Sequence, residues 1–139
     1  MNKKTKFIVL GSVLILTFIM VLLVVIYNKP HTNVANSKAD ITLTAQTILN
    51  DFENDENNAN AKYLEQIVEI SGTISTLSIN DNKGIIALKN EGSLGTVMCH
   101  LTPEETIKFK NLYTGKPVII KGICTGYLMD VILVKCIIK

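Results

Sequence analysis

The sequence predicts a membrane-spanning helix followed by a small β-barrel domain of five strands. An apolar run without charged residues occupies residues 7–27, and period-2 hydrophobic patterns, which are typical of strands, recur beyond residue 66. Helix signals precede the first of these patterns and separate the third from the fourth. We therefore divide the chain into a cytoplasmic N-terminus at 1–6, a transmembrane signal anchor at 7–27, a linker at 28–40 and a barrel domain at 41–139.

The composition fits a single domain with a short appendage. Hydrophobic residues make up 47% of the 139 residues, and 14 lysines, without any arginine, outnumber 12 acidic residues to give a net charge of +2. These values exclude a long disordered chain, a collagen-like chain and a dense disulfide scaffold. The positive charge belongs to residues 1–40, because nine lysines and eleven acidic residues leave the domain with a net charge of −2.

The apolar run has the length of a membrane span. As a helix, residues 7–27 would extend roughly 31 Å, close to the hydrocarbon thickness of a bilayer. The alternative is a cleaved signal peptide, which is less favoured because its apolar core is shorter, about 7–15 residues. A buried soluble helix is a weaker alternative still. A lipoprotein is excluded because the first cysteine, Cys99, lies far from the run.

The lysines that flank the run predict its orientation. Lys3, Lys4 and Lys6 precede it, whereas Lys29 and Lys38 follow it. Because positive residues favour the cytoplasmic side, we expect a single-pass protein of the inner (plasma) membrane. Its C-terminal domain would face the periplasm or the extracellular space.

The domain is predicted to open with a helix that has one apolar face. Thr42 or Thr44 can cap its first turn. Polar residues at 54–60 interrupt the pattern, and a second short turn is expected to follow. The apolar positions at helical spacing are Ala45, Ile48, Leu49 and Phe52, and those of the second turn are Ala59, Ala61 and Tyr63.

Five strands are predicted to follow. The first, from residue 66 to 79, changes its inward parity near Ser75 and Thr76, which indicates a bulge. The others are expected at 85–88, 96–101, 118–124 and 130–138.

A helix is expected between the third and fourth strands. Thr102 stands at the N-cap, Pro103 at the first helical position and Glu105 at the third, which is the pattern of a capping box. Phe109, Leu112 and Tyr113 would form one face of this helix, before a glycine and a proline end it.

This order of elements is that of the oligonucleotide/oligosaccharide-binding fold, the OB-fold. The helical lead-in would be an N-terminal extension of that barrel. The alternative is an open α+β sandwich built from the same elements.

Two stretches of the domain carry a recognisable pattern of residues. They are Leu43, Ala45, Ile48, Leu49, Phe52, Asn54, Ala59, Tyr63, Val68, Ile70 and Gly72, then Ile119, Ile120, Lys121, Gly122, Cys124, Gly126, Asp130, Val131, Leu133 and Cys136. In these residues the domain resembles the tRNA_anti-like family of OB-fold proteins, which are bacterial, often membrane-anchored or lipoproteins, and without an established activity. The resemblance therefore implies an OB-fold, and it implies nucleic-acid binding only through that fold. It brings no functional residues with it.

Strand alternation predicts that all three cysteines face the core. If Lys121 and Lys135 point to solvent, Cys124, Val134 and Cys136 point inward. His100 likewise points outward if Val97, Cys99 and Leu101 point inward. In an oxidising compartment Cys124 and Cys136 form the preferred disulfide, Cys99 with Cys136 is the second choice, and three buried thiols are the alternative.

The sequence offers no catalytic or metal-binding motif, so neither an enzyme nor a cofactor is predicted. The one domain histidine, His100, has no companion ligands at a metal-site spacing. The acidic run that begins at Asp51 fails as a calcium loop, because its sixth position is Glu56 and its twelfth is Lys62.

Nucleic-acid binding is the alternative that the fold suggests. OB barrels bind single strands through positive grooves and through aromatic residues on the second and third strands. Here no aromatic residue lies on those strands, arginine is absent and the domain is net negative. Nucleic acid is therefore the less favoured ligand.

We predict instead a membrane-tethered binding module. Its ligand surface would combine the second and third strands with the loops at 80–84 and 125–130, and its partner would be an envelope protein, a glycan or a small molecule. For each candidate residue taken alone, an ordinary surface role is the favoured interpretation. The candidates are Lys83, Lys89, Met98, His100, Tyr127 and Met129.

Overall fold

The structure, a computed structural model, describes residues 3–27, 33–89 and 92–139, with side chains from residue 11 onward. Part of the predicted N-terminus (1–2) and part of the predicted linker (28–32) lie outside the described residues. The chain divides into two compact units, Met1–Thr32 and Asn33–Lys139.

The first unit contains one helix, α1 (Lys3–Tyr27), of 25 residues. Its apolar side chains from Val13 to Tyr27 are exposed. Among the residues whose side chains are described, no helix combines the length and the hydropathy that a membrane span requires.

The second unit opens with strand β1 (Ile41–Thr44), helix α2 (Ala45–Asn54) and helix α3 (Glu56–Tyr63). The predicted α2 is confirmed: its apolar stripe is buried, and the Thr44 hydroxyl accepts the backbone N–H of Thr47 at 3.1 Å. β1 was not predicted, because a four-residue strand carries too little periodicity to be recognised.

The strands of the barrel are β2 (Ile67–Asn80), β3 (Lys83–Leu88), β4 (Val97–Leu101), β5 (Pro117–Leu128) and β6 (Asp130–Ile138). The sheet has the order β1-β2-β3-β4-β6-β5, and pairing of β2 with β5 closes five of these strands into a barrel. β1 pairs in parallel with β2 and is not one of the five strands of the closed barrel. The predicted five-stranded OB-like barrel is therefore confirmed.

The predicted bulge in the long first strand is present. β2 pairs with β5 along its first half and with β3 along its second half, and the register shifts between Ile74 and Thr76. This shift lets one strand turn the corner of a small barrel, because it redirects the side chains that follow it.

A second irregularity corrects the prediction for β6. Val131 and Leu133 are buried, and the next buried residue is Cys136, because Lys135 adopts a left-handed conformation with φ of +52°. Val134, which was predicted to point inward, is only half-buried on the outer side.

Lys121 was predicted to point to solvent and is instead buried. Its Nζ donates to the carbonyl oxygens of Ser37 at 2.7 Å and Ala35 at 3.3 Å. Val34 is buried as well, and the Asp40 carboxylate accepts the backbone N–H of Ile67 at 2.9 Å. Residues 33–40, which were predicted to be linker, thus pack against the barrel.

Helix α4 (Pro103–Thr106) lies between β4 and β5 and continues as a 3₁₀ turn, Ile107–Asn111. The Thr102 hydroxyl caps it by accepting the Glu105 N–H at 3.3 Å. The reciprocal half of the capping box is absent, because the Glu105 carboxylate accepts the N–H of Ile138 and bonds to Lys108.

Candidate functional site

The outer side of β3, β4 and β6, here called the strand face, carries three of the predicted residues, Lys83, Met98 and His100. Alternation along β4 buries Val97, Cys99 and Leu101, which leaves Met98 and His100 half-buried on the outside, as predicted. In the paired strands, His100 lies opposite Ile85, and Met98 lies opposite both Ala87 and Ile132. The resulting surface is largely apolar.

A cleft of about 440 Å³ opens on the strand face. Its walls combine two ammonium groups, one imidazole and one hydroxyl with an apolar floor, and no carboxylate lines it. Such a surface suits an apolar ligand that carries a carboxylate or hydroxyl groups. The lining residues are Lys83, His100, Leu101, Thr102, Pro103, Ile132, Val134 and Lys135.

The structure separates the other predicted residues from this cleft. Tyr127 was placed in a loop but belongs to β5, where its ring stacks on Phe52 with centroids 5.3 Å apart. Burial, followed by the nearby Glu53 carboxylate, raises the pKa of Tyr127. Because the Tyr127 ring packs against Phe52, little of it is left to contact a ligand. Met129 is exposed in the tight turn between β5 and β6, with φ of +67°.

Lys89 lines a different and larger depression of about 670 Å³, here called the lysine cleft. It lies between the start of α2, β2 and β5, and Lys116 and Lys139 complete its cationic lining. Sequence reasoning missed these two lysines, because no local pattern links them to Lys89. They meet only when β2 pairs with β5.

A polar cluster on α2 and α3 has a structural explanation. The Asp51 carboxylate accepts the Tyr63 hydroxyl and bonds to Lys62 Nζ at 3.0 Å. The Tyr63 hydrogen bond, followed by the Lys62 hydrogen bond, lowers the pKa of Asp51. Within the described part of the chain, no group of three or more His, Cys, Asp or Glu side chains could hold a metal ion.

All three cysteines are buried and free. Cys99 and Cys136 lie on the paired strands β4 and β6, and burial, followed by the neighbouring Cys99 thiol, raises the pKa of Cys136. Cys124 lies opposite Leu133 in the β5–β6 register. The geometry therefore favours Cys99 with Cys136 over the preferred pair of the sequence prediction, and whether a disulfide forms stays a prediction.

The family model described as tRNA_anti-like matches residues 1–138. The chain therefore belongs to the tRNA_anti-like family, as its residues had suggested. The matched range includes α1 as well as the barrel. A comparison with curated proteins finds no match.

Among solved structures, the chain is similar to a proposed nucleic acid-binding lipoprotein from Klebsiella pneumoniae. The two are 14% identical with a TM-score of 0.61, over 80% of this chain and 99% of that chain. Weaker similarities involve the Stn1-Ten1 complex of S. pombe (15% identity, TM-score 0.42, 50% of this chain and 53% of that chain). They also involve asparaginyl-tRNA synthetase from Pyrococcus horikoshii (17% identity, TM-score 0.43, 55% of this chain and 20% of that chain). At these identities the likeness shows the fold alone.

Proposed function

We propose that this chain is a membrane-anchored binding protein whose OB domain holds a partner on the strand face, outside the cytoplasm. The observation that carries the proposal is the cleft in which Lys83 and His100 meet over an apolar floor. β3 and β4 are the second and third strands of the barrel, and OB barrels bind their ligands on these strands. The proposal is of a binding protein, so turnover of any compound at this cleft would contradict it.

The anchor rests on the sequence and on the form of α1. Residues 7–27 carry no charge, and 21 residues match the thickness of a bilayer. The apolar side chains of α1 are exposed, and burial in lipid would remove that surface from water. The similar Klebsiella protein is a proposed lipoprotein, and a membrane-held relative agrees with this proposal.

A topology experiment tests the anchor and its orientation. A reporter that is active only outside the cytoplasm is fused after Lys139 in the full chain, and a cytoplasm-active reporter is fused to a second copy. We expect activity from the first fusion only. Replacement of Lys3, Lys4 and Lys6 by asparagine should weaken this preference, because it removes the positive residues that hold the N-terminus inside. Activity from the cytoplasmic reporter alone would contradict the proposal.

For the partner we favour another envelope protein. Half-buried Met98 and Ile132 offer apolar contact area, while Lys83 and Lys135 at the edge of the cleft can pair with carboxylates. An apolar centre with a charged rim is typical of protein interfaces. A glycan or a small molecule is the second choice for this surface.

Site-specific crosslinking tests the surface in intact membranes. A photoreactive amino acid replaces Met98 on the strand face, and Leu64, an exposed apolar residue after α3, is the matched control position. We expect one protein adduct from position 98 that is lost in the His100→Ala or Lys83→Glu background. An adduct of equal yield from position 64, or none from position 98, would contradict the proposal.

Single-stranded nucleic acid is the alternative ligand. The observation in its favour is that both clefts are lined by lysines and not by carboxylates. Against it, β3 and β4 have no aromatic residue for base stacking. Titration of the full chain with a labelled oligothymidine should give no saturable binding at moderate salt. Tight, salt-dependent binding would favour this alternative instead.

A further inference from the structure

We propose that the lysine cleft is a second binding site, which takes a phosphate group carried by a small molecule or by a lipid headgroup. The proposal concerns a surface separate from the strand face. Three observations support it: the size of the cleft, the ammonium groups that line it in a domain of net negative charge, and the hydrogen-bond donors that those groups leave unused.

The lining of the cleft carries lysines. Lys89, Lys116 and Lys139 line it, and none of its lining residues is acidic. Across the domain, acidic residues outnumber lysines by two. Glu69 offsets the charge of Lys139, so Lys89 and Lys116 supply the local positive potential of the cleft against the average of the domain.

The ammonium groups of the cleft differ in how many of their donors are already used. Lys139 Nζ is paired with the Glu69 carboxylate at 2.7 Å, and Lys116 Nζ donates to the Asn111 carbonyl at 3.0 Å. Lys89 Nζ has no partner among the described residues. An ammonium group has three donors, so Lys89 and Lys116 retain free donors for an oxyanion.

The size and the lining of the cleft indicate the chemical class of its ligand. The volume of about 670 Å³ fits a small molecule or a headgroup. Ser71 and Thr73 offer hydroxyl groups at one wall, and Val118 and Ile119 offer apolar surface at another. Lysine binds phosphate as a point charge through its three N–H donors. A phosphate ester with an uncharged body matches these groups.

The wall of the cleft is fixed by close packing at Gly72. A Cβ atom at this position would approach the Cβ of Ala45 to 3.0 Å and a methyl carbon of Leu88 to 3.2 Å. The start of α2 therefore packs directly against β2. The hydroxyl groups of the wall are held in place by this contact.

Two titrations of the full chain in maltoside micelles test the proposal and distinguish the sources of phosphate. In the first, glycerol phosphate is added in solution, and in the second, phosphatidylglycerol is added to the micelles. Amide chemical shifts report where each probe binds. We expect saturable shifts at Ser71–Thr73 and at Lys116, Val118 and Ile119 in at least one titration, and the titration that saturates identifies the source.

Charge variants make the test specific. Lys89→Glu and Lys116→Glu should each weaken binding about tenfold, the effect of losing one charge-assisted hydrogen bond. Glu69→Gln should tighten it, because it releases the Lys139 ammonium group. Lys110→Glu is the matched control, an exposed lysine that does not line the cleft.

The proposal fails if neither titration saturates, or if Lys110→Glu weakens binding as much as Lys89→Glu does. The second result would mean attraction by overall charge and not a site. Unchanged amide shifts elsewhere in the barrel show that each variant is folded. Neither failure bears on the strand face, which the crosslinking experiment tests separately.

Discussion

At the scale of single residues, Lys121 shows how tertiary contacts override a local pattern. Alternation places it on the outer side of β5, and a lysine there would ordinarily be solvated. Residues 33–37 cover that position and supply two carbonyl acceptors, at Ala35 and Ser37. A buried ammonium group is tolerated only with such partners. Lys121 thus holds residues 33–37 against the barrel through these two hydrogen bonds.

Lys121→Met should destabilise the domain while keeping most of the aliphatic stem. The loss is expected to be about 1–3 kcal/mol, because two carbonyl groups lose a charged donor under partial burial. Thermal unfolding measures the loss, and hydrogen exchange should show faster exchange of the Ser37 and Asp40 amides. Lys38→Met, at an exposed position of the same segment, is the control. Equal effects of both variants would contradict this role.

Asp51 should make stability depend on pH in the acidic range. Its pKa is lowered in the folded protein, mainly by the Tyr63 hydroxyl, so its contribution is present above the unfolded value of about 3.9. The contribution is lost as the pH falls through the lower folded value.

Asp51→Asn should therefore lower the melting temperature at neutral pH, and the difference from the unmodified chain should shrink below about pH 4. Melting curves across this range measure it. Glu104→Gln, which removes an exposed carboxylate of α4, controls for net charge. A difference that grows toward acidic pH would have the wrong sign and contradict the assignment.

At the scale of elements, the contact between β5 and β6 depends on the absence of a side chain at Gly122. A Cβ atom there would lie 2.5 Å from the Cys136 sulfur, inside a buried layer. The register shift of β6 around Lys135 is what turns Cys136 toward this glycine. The close packing of Cys136 in the core therefore needs both the irregularity at Lys135 and the glycine at 122.

Gly122→Ala should destabilise the barrel by about 1–3 kcal/mol, the usual cost of overpacking a core. Cys136→Ala removes the sulfur that the new methyl group would meet. The double variant should consequently lose less stability than the sum of the two single variants. Denaturant unfolding of the four proteins gives the coupling free energy, and simple additivity would contradict the proposed clash.

At the scale of the whole molecule, the closed barrel shields all three thiols. Cys99, Cys124 and Cys136 are fully buried, and they belong to three different strands. Burial raises the pKa of Cys124 and of Cys136, which lowers the fraction of reactive thiolate. Reaction with a reagent in solution thus requires the barrel to open.

We expect the three cysteines of the native chain to react with a thiol reagent slowly and together, at a rate set by unfolding. In denaturant all three should react at once, because the structure holds them as free thiols. Mass spectrometry counts the labels over time. One rapid label in native conditions, or a single reactive thiol in denaturant, would contradict this expectation. The latter result would instead indicate a disulfide.

Much of the secondary structure could be predicted because its signals are local. The stripe of α2, the cap at Thr102 and the bulge after Ile74 were all recognised from neighbouring residues, and the structure contains each of them. The outward position of His100 followed from simple alternation. Of the eight residues that line the strand-face cleft, the prediction named two, Lys83 and His100.

Apart from the short strand β1, the sequence by itself determined the elements, their order and the faces of the regular strands, because helix and strand periods depend on residues within a few positions. Only the tertiary structure decided the parallel pairing of β1, the burial of Lys121, the stacking of Tyr127 on Phe52 and the lysine cleft. Each of these joins residues that are distant in the chain. Their meeting depends on barrel closure and on register shifts, which no local period encodes.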